Sequence, residues 1–114
     1  MSPVLEKIAN LPGVSALLHH RGGILLAQRL PDTLSADEAS ALCNAVSRAF
    51  AIYAGAGRLL REAWFEFPNR CVLVVARPSE DAIAAPAEFL TMIVSDRTVS
   101  APASQAAVRF WTGS

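Results

Sequence analysis

Two apolar runs constrain this chain more than any other feature: RCVLVVAR at Arg70–Arg77 and FLTMIVS at Phe89–Ser95. Successive side chains of a strand point to opposite faces. In the first run both Val72/Val74 and Leu73/Val75 are apolar; in the second, both Phe89/Thr91/Ile93 and Leu90/Met92/Val94 are largely so. Alternation is lost, so these strands are buried on both faces. The connections around them are nevertheless tight. Pro68-Asn69 joins Leu60–Phe67 to Arg70–Arg77, and Arg21-Gly22-Gly23 joins Val14–His20 to Ile24–Leu30. Glycine accepts the positive φ that a tight hairpin needs. Short connections imply antiparallel pairing, and an antiparallel sheet covered on both sides needs helices on both sides.

Those helices are legible. Ser2-Pro3 is a capping hydroxyl followed by a proline whose missing N–H costs nothing at a helix start. Val4, Leu5, Ile8 and Leu11 follow at helical spacing, and Pro12-Gly13 stops the run. Ser35-Ala36-Asp37-Glu38 is a capping box, with Leu34 placed as a hydrophobic staple. The helix it opens is expected over Ala36–Ala54, ending at Gly55-Ala56-Gly57. Its apolar stripe reads Ala39, Leu42, Val46, Ala49 and Tyr53, widened by Cys43 and Phe50. A last helix is expected near Pro102–Trp111. Pro78–Ala87, PSEDAIAAPA, reads as an exposed loop. The order is α-β-β-α-β-β-β-α: one domain, 1–114, folded as a three-layer α-β-α sandwich around five antiparallel strands.

Composition narrows the partners. Ten basic residues balance ten acidic ones. With no basic excess to release counterions from a phosphate backbone, nucleic acid is not an expected partner. The chain is 53% hydrophobic, but its strongest apolar run, Val72–Ala76, is far short of the ~20 residues of a membrane span. MSPVLEKIAN lacks the basic-then-apolar pattern of a secretory signal. The expected location is the cytoplasm, with Cys43 and Cys71 reduced and buried.

No catalytic, cofactor or metal site emerges. His19 and His20 are adjacent and, from a regular strand, point apart, so they do not chelate one metal. They read as polar residues at a strand end. Gly22-Gly23 and Gly55-Ala56-Gly57 match no phosphate-binding pattern. Ser47, Ser79 and Ser95 lack a GxSxG frame. Glu62, Trp64 and Glu66 share one strand face and read as a partly exposed surface. Arg29, Arg58, Arg61 and Arg70 read as solvated.

What remains unusual is the outer side of the long helix, where Ala41, Ala45 and Ala51 keep charge low. A helix packed only on its own sheet has a more charged outer face. Small residues there suit close approach of a second helix. Together with the following strand this proposes a dimer contact over Leu42, Ala45, Val46, Ala49, Tyr53, Ala63, Trp64 and Phe65. Pairing two strand edges would also remove an aggregation hazard.

LEKIANLPGVSALLHHRGGILLAQ, Leu5 to Gln28, resembles the opening of the roadblock/dynein light-chain family: a first helix, a PGV-type entry into the first strand, and a glycine hairpin. The long helix after SADEA and the strand triplet follow in that family's order. Where the family's hairpin carries an acidic residue, this chain has His19-His20-Arg21. The resemblance implies a non-enzymatic homodimer whose long helices and strands pair into one continuous sheet. It implies a scaffold or regulator for a Ras-like small GTPase, as in bacterial members, or an adaptor in signalling or motility assemblies. It supplies no catalytic residues to carry over. The alternative is a small-molecule-sensing domain of similar layered shape, which the scarcity of polar residues at core positions disfavours.

Overall fold

A computed structural model describes residues 2–21, 24–55, 62–68, 70–77, 88–95, 102 and 105–111, the side chains of 53–55, 108 and 110 excepted. The elements are α1 (Pro3–Ala9), β1 (Val14–Arg21), β2 (Ile24–Arg29), α2 (Ala36–Gly55), β3 (Glu62–Phe67), β4 (Arg70–Arg77), β5 (Glu88–Val94) and α3 (Ala107–Trp111). This is the expected order. Gly22, Gly23, Ala56, Gly57, Arg58, Arg61, Asn69, Ser79 and the loop 78–87 lie outside the described residues.

Caps and turns fix the helices locally. Ser2 accepts the Leu5 N–H at 3.3 Å, with Pro3 in the first turn. α1 ends two residues earlier than its apolar spacing predicts. Asn10 still bonds the Glu6 carbonyl at 3.0 Å, but Leu11 closes a tighter turn onto Ile8 at 3.1 Å. Gly13 then takes φ 84°, a conformation that costs other residues a Cβ clash, and turns the chain into β1. Ser95 N–H bonds the Gly13 carbonyl at 3.0 Å, tying this turn to the end of β5. At α2, Ser35 Oγ accepts the Glu38 N–H at 3.1 Å and donates to the Glu38 carboxylate at 3.2 Å. Leu34 is buried beside it. The C-terminal helix is helical at 102, 105 and 106 and closes on a π-helical turn, α3, that ends at Trp111, where the expected helix ends.

The sheet runs β2-β1-β5-β4-β3, antiparallel throughout. β4 and β5 sit at or next to its centre and are buried on both faces, as their loss of alternation requires. Two irregularities bend the sheet's β1–β2 side. Ser15 is extra where Val14 pairs with Val94 and Ala16 with Ile93; its hydroxyl donates to the Ile93 carbonyl at 3.1 Å. Leu26 is extra where His19 pairs with Ala27 and His20 with Leu25. Such bulges increase local twist.

Each face has its own core. Leu17, Cys71, Leu73, Val75, Leu90, Met92 and Val94 meet Leu5 and Ile8 of α1 and Ala107 and Trp111 of α3. Ala16, Leu18, Val72, Val74, Phe89 and Ile93 meet Ala39, Cys43, Val46 and Phe50 of α2. The two buried cysteines therefore lie on opposite faces of the sheet, and neither is in a disulfide. No helix among the described residues is long and apolar enough to cross a membrane.

Candidate interaction face

The buried stripe of α2 is Ala39, Cys43, Val46 and Phe50. All four belong to the expected stripe of Ala39, Leu42, Val46, Ala49 and Tyr53 widened by Cys43 and Phe50, and the buried face is centred on its Cys43–Phe50 side. Phe50 sets this phase. It packs edge-on to Phe89 with centroids 4.9 Å apart and an interplanar angle of 65°. Leu42 and Ala49 become half-buried flanks, and Ala41, Ala45, Arg48 and Ile52 form the outward stripe. Ile52 is 72% exposed.

Beside this helix no described element covers the sheet at Phe65 and Phe67. Phe65 pairs across from Val72, and Phe67 from Arg70, so both lie on the α2 side. The α2 backbone lies nearest β1 and β2 and its side chains reach β4 and β5 through Val72, Val74, Phe89 and Ile93, while Phe65 and Phe67 remain 37% and 54% exposed. β3 is also an edge strand, with no strand beyond it among the described residues. An outward stripe of small residues, three exposed large apolar side chains and an unpaired strand edge therefore share one side of the molecule.

The opposite face carries the charges. Glu88, at the start of β5, accepts from Arg21 through Oε1 and from His19 (3.1 Å) and Arg77 through Oε2. Burial alone would raise its pKa. The hydrogen bonds from Arg77, His19 and Arg21, with the charge of Arg77, outweigh that and hold the carboxyl down at about 2. Arg77 also lies 4.5 Å over the Trp111 ring and donates to the Trp111 carbonyl at 3.0 Å. His19 meets the same ring edge-on at 5.5 Å. The cluster thus pins α3 to the strands.

His20 points to the α2 side, as strand alternation requires, but it is no surface ornament. It is fully buried, 2.8 Å from the Thr91 hydroxyl and stacked on Phe89 at 5.3 Å. The expectation of two polar strand-end residues is corrected: both histidines belong to packed clusters, because the β1–β5 pairing runs the full length of β1. Burial lifts the Cys43 thiol to about 11 against a weaker backbone hydrogen bond, which keeps it protonated and poorly nucleophilic. Glu62 accepts the Trp64 indole N–H at 2.6 Å. Among the described residues, no group of three His, Cys, Asp or Glu is placed to hold a metal ion.

Solved structures share this architecture. MglB, a gliding protein from Thermus thermophilus, is 16% identical over 94% of this chain and 84% of its own, with a TM-score of 0.65. Myxococcus xanthus MglB is 10% identical over 96% and 83%, with a TM-score of 0.73. A roadblock/LC7 domain from Streptomyces avermitilis is 13% identical over 96% and 90%, with a TM-score of 0.65. The chain has the roadblock fold. No family model matches its sequence, and no curated protein matches it either. The roadblock likeness is carried by backbone geometry.

Within this roadblock fold the eight residues read from sequence as a contact do not form one surface. Ala45 is on the outward stripe, with Leu42 and Ala49 on its flank. Phe65 is exposed on the same side of the sheet. Ala63 lies beneath them, half-buried against the α2-side core. Val46 faces inward, 2% exposed in the protomer's own core, and Trp64 packs on the α1 side. The side chain of Tyr53 lies outside the described residues. Ile52 and Phe67 were missed by sequence reading. Their signal was phase: with Phe50 inward, Ile52 must face out, and Phe67 follows Phe65 by two along β3.

Proposed function

We propose that this chain is a member of the roadblock family that acts, without catalysis of its own, as a homodimeric scaffold or regulator of a Ras-like small GTPase in the cytoplasm. The observation that carries the proposal is the coincidence of Ala41, Ala45 and Ile52 on α2, Phe65 and Phe67 on β3, and the open β3 edge. An exposed apolar set of this kind marks a contact surface. A two-fold axis through it would pack α2 against α2 and β3 against β3 in one isologous contact. The small residues of α2 let the helices approach, and joining the β3 edges protects both from aggregation. MglB has also been solved in a tetrameric arrangement at 17% identity to this chain, which adds support for self-association in proteins of this shape.

The GTPase half rests on the resemblance to the roadblock family, and its test is direct. The purified chain is mixed with a Ras-like GTPase from the same genome, loaded with GDP or with a non-hydrolysable GTP analogue. The expected result is a complex at micromolar concentration that forms with one nucleotide state and not the other. Failure to co-elute in either state would remove the regulator reading and leave the scaffold alone.

A further inference from the structure

On the α1 side, away from the α2–β3 surface, a groove of about 510 Å³ runs between α1, α3 and the β2 edge. Leu5, His19, Leu26, Ala27, Arg77 and Trp111 line it. Two features of the groove point to a ligand. The first is charge. Beside Arg77, which lines the groove, stand Glu88 and its other partner Arg21: among the described residues, one carboxylate against two guanidinium groups. Both Glu88 oxygens are already engaged, whereas each guanidinium has five N–H donors. The side chains of Arg21 and Arg77 are 45% and 38% exposed, within reach of a ligand from solvent. The second feature is apolar surface at the same rim. Leu26, the bulged residue of β2, is 48% exposed, and Ile24, paired across from Arg21, is 68% exposed. β2 is an edge strand with no strand beyond it among the described residues.

We propose that the α1–β2 groove docks an extended acidic peptide segment of another protein, with a carboxylate held by Arg21 and Arg77 and an apolar side chain seated against Leu26 and Trp111. An extended segment fits because it can run beside the β2 edge, past the Leu26 bulge, while presenting alternate side chains to the groove. Acidity fits because a further carboxylate offsets the positive excess, and a basic peptide would be repelled. The groove uses none of the α2–β3 surface, so the inference does not depend on dimer formation.

The test uses the full chain and two fluorescently labelled synthetic peptides, one alternating glutamate with valine and one alternating glutamine with valine. The glutamate peptide is expected to bind about tenfold more tightly at low salt, and added salt is expected to erase the difference. Leu26→Asp, a substitution at a half-exposed site, is expected to keep the wild-type melting temperature and lose binding by at least about tenfold. Amide shifts on binding are expected in β2 and α1, and the Ala45→Glu variant is expected to bind as the wild type does. Equal binding of both peptides would overturn the proposal, as would full binding by Leu26→Asp. Displacement of the peptide by an equal concentration of acetate would overturn it in favour of a simple anion site. A fall in mass of the wild-type assembly on Leu26→Asp would overturn it in favour of a second copy of the chain.

Discussion

One carboxylate, Glu88, links β1 through His19 and Arg21, β4 through Arg77, and α3 through the Arg77–Trp111 contact. Its pKa falls from 4.5 to about 2 on folding. A depressed carboxylate stabilises the fold above its unfolded pKa, and that contribution is lost as pH drops toward the folded value. Glu88→Gln should therefore cost about 1–3 kcal/mol near neutral pH, where two arginines lose a charged acceptor. Melting curves of the two proteins should converge between pH 4.5 and 2. A gap that stays constant across that window would mean the cluster does not titrate as described. His20 makes a second case. His20→Leu should cost about 1–3 kcal/mol, because Thr91 loses a buried hydrogen bond at full desolvation. Adding Thr91→Val should recover part of that loss in a double-mutant cycle, while additive costs would show that the two side chains are not coupled. That the two histidines face apart follows from alternation and was legible in the sequence. That both are packed was not, because their partners lie 69 and 71 residues away.

At the scale of elements, legibility tracks locality. The α1 start, the Gly13 turn and the α2 capping box each depend on residues within four positions and are found where the sequence puts them, although α1 itself ends at Ala9, ahead of Pro12-Gly13. Gly13 is the sharpest instance. With φ at 84°, Gly13→Ala should cost about 1–2 kcal/mol and loosen the Ser95 bond to its carbonyl. Thermal unfolding measures the first effect and amide exchange at Ser95 the second; an unchanged melting temperature would argue against the left-handed turn. The phase of α2 was legible only in part. Alanines lie on several sides of the helix, so small-residue spacing does not select a buried face. Phe50 and Cys43 do, but only once Phe89 is known to sit beneath. The sheet itself was read from lost alternation in β4 and β5, whereas its strand order and the bulges at Ser15 and Leu26 depend on long-range pairing that no local pattern encodes.

For the whole molecule, a five-stranded sheet whose two edges are unpaired among the described residues leaves the chain with different hazards on its two sides. The β2 edge is interrupted by the Leu26 bulge, a feature that discourages indiscriminate strand pairing. The β3 edge pairs residue for residue with β4 without a bulge, and its Phe65 and Phe67 are open on the α2 side. A regular edge beside an apolar face is the better template for a second copy, which is why self-association is expected at β3. Ala45→Glu tests this at the centre of the outward stripe. In a lone protomer Ala45 is exposed, so glutamate there should leave the melting behaviour of the monomer nearly untouched, within about 0.5 kcal/mol. In a dimer built on α2 it would bury two carboxylates near the two-fold axis, and association should fail. Val46→Glu, one residue along, should instead unfold the protomer, because Val46 is buried among its own core residues. Sedimentation at micromolar concentration separates the outcomes: two protomers for the wild type, one for Ala45→Glu with its circular dichroism intact. A wild-type chain that sediments as one protomer, or an Ala45→Glu variant that still sediments as two, would move the contact away from α2.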